Sequence, residues 1–159
     1  MKKIIGSFLV LLILASFSVH ANASEKDDLF IQVELNGDPE GCSIMKSKPD
    51  GTISEFVSNS QILFATGLTS ADCSNTGLAV GLDGRVYFSE DVSDNILVAT
   101  SNGRVSTFVT DTVVNMLLPT TVDWDNGMAI NPVTGTLVAA DEDNEAIIEF
   151  PTDVPTPYY

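Results

Sequence analysis

The sequence predicts an all-β fold: a β-propeller-like repeat of four-stranded antiparallel blades, about three of them, with the first and last incomplete. Two internal correspondences and a turn pattern carry that expectation. The stretch Ile44 to Val57 aligns without a gap on Ile96 to Val109, and Gly77-Leu78-Ala79-Val80 recurs as Gly127-Met128-Ala129-Ile130. Asp83-Gly84 and Asn102-Gly103 fall between short runs rich in Val, Ile, Leu, Tyr and Phe. A fixed period of strand-like units is the signature of a propeller or solenoid, and such dipeptides mark tight hairpin turns because Gly and Asn tolerate the positive φ that two-residue turns require.

The elements follow in chain order. Met1-Lys2-Lys3, the apolar run Ile4 to Phe17 and the small-residue triplet Ala21-Asn22-Ala23 form the pattern of a secretory signal peptide over residues 1–23, with Ser24 opening the mature chain. The apolar run is shorter than the roughly 20 residues a bilayer span needs, which favours a cleaved leader over an anchor. Residues 24–150 hold the repeats, in units of about 29–57, 77–109 and 127–150. In the first unit, Leu29 to Leu35 matches the second strand of a blade, so the innermost strand is missing or unrecognisable in the sequence. The second unit reads as four strands: Leu78 to Leu82, Arg85 to Ser89, Ile96 to Thr100 and Arg104 to Val109. The third stops at Ile147 to Phe150, after its third strand. Between units, Ser58 to Gly67 and Thr110 to Pro119 each read as a turn or two of helix, with a Ser/Thr cap at the start and Gly or Pro as the stop. Their Ile, Leu, Phe and Met side chains are expected to pack against the sheets. The tail, residues 151–159, carries too many prolines for a central strand.

Charge and composition restrict function. The net charge is −15, and loss of Lys2 and Lys3 with the leader makes the product more acidic still. Such a chain repels phosphate backbones, so nucleic acid is excluded as a partner, while divalent cations and basic surfaces are favoured. The sole histidine, His20, lies in the leader. An imidazole base, a His-ligated zinc and a Ser-His-Asp triad are therefore excluded for the mature monomer. Cys42 and Cys73 remain in a chain bound for a secreted or periplasmic, oxidising compartment, which favours a disulfide between neighbouring repeats over two free thiols.

The segment Gly77-Leu78-Ala79-Val80-Gly81-Leu82-Asp83-Gly84-Arg85-Val86-Tyr87-Phe88-Ser89-Glu90-Asp91 resembles the repeats of six-bladed propellers of the gluconolactonase and senescence-marker type, and the related NHL repeats. The shared pattern is a Gly-Leu-Ala-Val strand, an Asp-Gly turn and a strand ending in aspartate. Asp125-Asn126-Gly127-Met128-Ala129-Ile130 through Ala139-Ala140-Asp141 is similar. The resemblance implies a divalent metal, commonly calcium, at a central pore, with an Asn or Asp directly before the Gly of an innermost strand as ligand. Asn126 holds that position, and Asp125, Asp141 and Asp91 are the accompanying metal candidates. Thr76 departs from the pattern, and the glutamate such enzymes present from their first blade has no counterpart.

Independently of the resemblance, acidic residues gather at one kind of loop. The hairpins between second and third strands carry Asp38 and Glu40, then Glu90, Asp91 and Asp94, then Asp141, Glu142, Asp143 and Glu145; the linkers into the inner strands add Asp72, Asp123 and Asp125. In an up-and-down blade both connections emerge on one face, giving an anionic rim. That rim reads either as solvated loop tips or as a calcium site, calcium being a cation that takes six to eight oxygens. Trp124, between Asp123 and Asp125, is the ligand-contact candidate together with Asp123; its alternative role is to cap the core between blades.

The favoured function is an exported binding or scaffolding propeller that acts through this acidic face. The alternative is a calcium-dependent lactonase- or esterase-like hydrolase using Asn126 with Asp125 or Asp141, its site completed by other chains. A third reading is a remnant of a longer propeller. Because closed propellers need at least four blades, the chain is expected to be part of a ring completed by a homo-oligomer or a partner chain, an open stack, or a truncated product.

Overall fold

The computed structural model describes residues 28–35, 41–74, 76–124 and 127–152. Among them run ten strands and two short helices: β1 (Leu29–Leu35), β2 (Gly41–Ser47), β3 (Ile53–Val57), α1 (Asn59–Thr66), β4 (Leu78–Val80), β5 (Val86–Glu90), β6 (Asn95–Ala99), β7 (Val105–Val109), α2 (Asp111–Asn115), β8 (Met128–Ile130), β9 (Leu137–Asp141) and β10 (Ala146–Phe150). They form three antiparallel sheets in the orders β1-β2-β3, β4-β5-β6-β7 and β8-β9-β10. The chain is thus all-β, with sheets of three, four and three strands. None of them closes into a barrel among the described residues.

The middle sheet explains why its strands read as continuous apolar runs rather than alternating ones. Alternate side chains on a strand point to opposite faces. Leu78, Val80, Val86, Phe88, Leu97 and Ala99 bury one face against Phe30, Cys42, Ile44 and Val57 of the first sheet and Ile62 of α1. Ala79, Tyr87, Ile96 and Val98 bury the other face against Met128, Leu137 and Ala139 of the third sheet, with Val114, Val122 and Trp124. Two apolar cores therefore join three sheets stacked in chain order. The repeat is structural as well: the pairing register shifts between Ile44 and Met45 in the first sheet and again between Ile96 and Leu97 in the middle one, a bulge at matching places.

At the inner edge the sheets approach too closely for side chains. A Cβ on Gly77 would stand 2.8 Å from the backbone nitrogen of Met128 and 2.9 Å from Gly127. Polar ties reinforce the contact between sheets. The Ser89 carbonyl accepts from the Gln32 amide of the first sheet at 3.0 Å, and the Ser89 hydroxyl, which accepts from the Gly77 N–H of its own sheet at 2.8 Å, donates to the Trp124 carbonyl at 3.5 Å.

Two expectations about connections need correction. The Asp83-Gly84 and Asn102-Gly103 turns are three-residue loops rather than two-residue ones. Gly81 N–H donates to Arg85 O and Gly84 N–H to Gly81 O; Thr100 N–H donates to Arg104 O and Gly103 N–H to Thr100 O. Only the glycines take positive φ there, 80° and 81°, as a type I turn followed by a left-handed residue requires. The Asp or Asn before each glycine accepts a hydrogen bond from the backbone two residues on.

The inter-sheet helices also differ in part from expectation. α1 has the full capping box, with Ser58 and Gln61 bonded reciprocally, and ends on Gly67 in the left-handed region. α2 ends at Asn115, well before Pro119. Ile62 and Val114 pack into the cores, but Phe64 is 91% exposed and its counterpart Met116 lies open too. Successive helical residues turn by about 100°, so a run of three apolar residues cannot all face one core.

Candidate functional site

The acidic rim is built where the β5–β6 and β9–β10 hairpins meet the linkers that lead into β4 and β8. Each hairpin is tied to its linker in the same way. Asp91 N–H donates to Asp72 O at 3.0 Å, and Glu142 N–H donates to Asp123 O at 2.9 Å. A buried carboxylate at the strand end then fastens the loop. Glu90 accepts from the backbone N–H groups of Asp72 (3.0 Å), Val92 (3.1 Å) and Ser93 (2.9 Å) and from the Ser93 hydroxyl (2.6 Å). Asp141 accepts from the N–H groups of Asp123 (3.2 Å) and Asn144 (3.4 Å) and from the Asn144 amide (2.8 Å). Each carboxylate pairs with backbone donors of a part-buried turn.

Glu90, not Asp91, is therefore the counterpart of Asp141. The connection before β9 is one residue longer than that before β5: Asn131 N–H bonds to Thr136 O, whereas Gly81 N–H bonds to Arg85 O. The added residue slides the acidic motif by one place, and Asp91 becomes the first loop residue, matching Glu142. The two hairpins also share a strained position. Asp94 (φ 49°) and Glu145 (φ 48°) stand last in their loops and are the non-glycine residues with positive φ among those described.

Of the residues singled out from sequence, Asp91 and Asp123 are brought together, and Asp94 joins them. Each offers a carboxylate oxygen, and these oxygens lie within 4.8 Å of one another. Asp91 is exposed, while Asp94 and Asp123 are half-buried. Asp123 Oδ1 is itself buried and has no hydrogen-bond partner among the described residues. The electrostatics show mutual repulsion in a partly dehydrated setting. Burial, followed by the charges of Asp123, Asp91, Asp111 and Glu90, pushes the Asp94 pKa up to about 6. Burial, then Asp72, Asp123 and Glu90, raises that of Asp91.

The position of this group is set by Trp124. Its indole N–H donates to the Asp94 carbonyl at 2.8 Å, and its ring packs edge-on to Phe150 with centroids 5.9 Å apart. Trp124 is only 3% exposed, so what it provides is a bolt between the hairpin and the second core. Asp141, 2% exposed with both oxygens accepting bonds, serves as a cap rather than an open ligand. Asp125 and Asn126 lie outside the described residues, as do Asp38 and Glu40. Asp94 was visible in sequence as part of an acidic hairpin; what singles it out is its place at the loop end, beside the linker.

The donor set suits a hard cation. Two oxygens bound to one calcium at roughly 2.3–2.6 Å can stand up to about 5 Å apart, and the observed spread of 4.8 Å falls within that reach. Three carboxylates give as many as six oxygens, all from loops, the ligand type calcium accepts.

The expected disulfide is formed. Cys42 of β2 and Cys73 of the linker before β4 are bonded with their Cα atoms 5.5 Å apart, and no described cysteine is free. No helix among the described residues is long and apolar enough to cross a membrane. No protein-family model, curated protein or solved structure matches this chain.

Proposed function

We propose that the chain is an exported binding or scaffolding protein, built of propeller-type blades, that works through its acidic loop face and takes up a divalent cation, calcium above others, at Asp91, Asp94 and Asp123. The observation that carries this reading is the convergence of three carboxylates, one of which, Asp123, has a buried Oδ1 with no hydrogen-bond partner among the described residues. A buried carboxylate oxygen without a partner is costly, and a cation would remove that cost together with the neighbouring-acid repulsion that, after burial, raises the Asp94 pKa. The leader-like N-terminus and the disulfide support export to an extracellular or periplasmic compartment. The net charge of −15 directs the face toward cations and basic surfaces.

The hydrolase reading draws no comparable support. Asp141, one of its three residues, spends its carboxylate on the hairpin. Titration calorimetry of the full exported chain with calcium chloride is expected to show one site. Asp94→Asn and Asp123→Asn should each weaken it at least tenfold, and Asp83→Asn, in a β4–β5 turn away from the cluster, should leave it unchanged. A wild-type chain that releases no heat, or variants that titrate like wild type, would refute the cation site.

A further inference from the structure

The repeat makes the two ends of the sheet stack complementary to each other. Inside the chain, each junction joins the same two kinds of face. The forward face of the first sheet, with Phe30 and Ile44, packs on the rear face of the middle sheet, with Val86, Phe88 and Leu97. The forward face of the middle sheet, with Tyr87 and Ile96, packs on the rear face of the third, with Leu137, Ala139 and Ile148. The pairing registers show that these positions correspond. Phe30 is opposite Lys46 as Tyr87 is opposite Val98, and Phe88 is opposite Leu97 as Ala139 is opposite Ile148.

Each end sheet therefore carries one face of this system that no sheet among the described residues covers. The same registers place Ala129, Val138, Ala140 and Ile147, with Glu149 at its margin, on the forward face of the third sheet, where the middle sheet has Ala79, Tyr87, Ser89, Ile96 and Val98. They place Leu29, Ile31, Met45 and Ile53, with Glu55, on the rear face of the first sheet, where the middle sheet has Val86, Phe88, Leu97, Val105 and Thr107. The middle-sheet residues Ala79, Tyr87, Ile96, Val86, Phe88 and Leu97 are buried, whereas Ile147 is 71% and Ile53 62% exposed.

We infer that these two faces dock on each other between two copies of this chain, the forward face of each third sheet covering the rear face of the other copy's first sheet. The occupant follows from the chain itself: each open face repeats a face that, one sheet along, is covered by its complement. A contact of unlike faces is heterologous and must either close or grow. Resting on the blade reading proposed above, closure requires a ring of about four to eight sheets; with the three described sheets in each, two copies supply six and three copies overshoot. The association is driven by apolar area against the repulsion of two chains whose net charge, −15 before loss of Lys2 and Lys3, is −17 after it (5 basic against 22 acidic residues), so added salt should strengthen it.

The test is the native mass of the full exported chain by light scattering at moderate salt in chelator, so that it does not depend on the cation site. The expected mass is that of two chains. Ile53→Lys and Ile147→Lys, both at exposed positions and checked for an unchanged circular dichroism spectrum, should each halve it. Mixed in equal amounts they should recover the two-chain species, because each supplies the face the other has lost. Phe64→Lys, exposed but on neither face, should keep the wild-type mass. A wild-type mass of one chain at all concentrations would overturn the inference, as would substitutions that leave the mass unchanged. Unlimited growth would overturn the closed ring, and with it the blade reading. The calcium titration decides the cation site separately from all of these.

Discussion

Glu90 and Asp141 show how a carboxylate can shape an acidic rim without being part of its chemistry, because their oxygens accept bonds from the very loops that carry Asp91, Asp94 and Asp123. Asp94 is where the resulting tension is measurable. Its pKa lies near 6 in the folded chain against an ordinary 3.8, chiefly through burial and then through neighbouring acids. Between those values the folded chain holds a proton that the unfolded chain has released. This group's stabilising contribution is thus complete below about pH 3.8 and is lost as pH rises through about 6. Asp94→Asn is neutral throughout and suits the left-handed backbone at this position. In chelator, its urea midpoint should pull ahead of wild type as pH rises from 4 to 7.5; parallel profiles would show that the carboxylate carries no such strain. Calcium competes with the same proton, so its affinity should fall below about pH 6. The part of the site legible in sequence was its composition, acids crowded at hairpins and linkers, from which Asp91 and Asp123 were identified. The part that was not depended on register: a single added residue before β9 decides that Glu90 rather than Asp91 matches Asp141, and neighbouring acids look alike until their loop is built.

Strands, turns and helices were legible to different depths for physical reasons. Runs such as Val86 to Phe88 and Ile96 to Val98 are apolar throughout because both faces are covered, and short length with β-branched content marks them as strands. Turn length was not legible, since Asp-Gly and Asn-Gly serve two-residue and three-residue loops alike and the choice rests on strand register. These turns offer a test of how the sheets meet. Gly51 and Gly103 hold matching places in the β2–β3 and β6–β7 turns with φ of 84° and 81°. A Cβ at Gly51 meets nothing within 4 Å, whereas at Gly103 it would stand 2.5 Å from the Phe56 carbonyl oxygen of the first sheet. The Gly103 carbonyl also accepts from Gln61 of α1 at 2.9 Å. Gly51→Ala should therefore cost only the left-handed penalty of about 1–2 kcal/mol. Gly103→Ala should cost about 1–3 kcal/mol more, the range for a backbone clash that cannot relax. Equal denaturation midpoints for the two variants would mean that the turn does not pack on β3 as described.

Across the whole molecule, the order of stacking was readable because the repeat carries its interfaces with it, but the covalent tie was readable only as an inference from compartment and from the absence of both cysteines in the later unit. The structure gives that tie a location: Cys42 and Cys73 are buried in the first core, so the bond joins the first sheet to the segment leading into the middle one. A sequence separation of 31 residues sets the entropy removed from the unfolded chain, worth about 3–4 kcal/mol if the native geometry is unstrained. Against the roughly 5–15 kcal/mol of a typical domain, that is a large share. Reduction, or the paired substitution Cys42→Ser with Cys73→Ser, should lower the free energy of unfolding by about that amount in urea titrations. The acid cluster belongs to the junction of the middle and third sheets, outside the loop the disulfide closes. Calcium affinity of the reduced chain should accordingly match that of the oxidised chain wherever both are folded. Coincident urea midpoints would show that the first sheet is held by packing alone; a calcium affinity that fell with reduction would show that the two cores act as one.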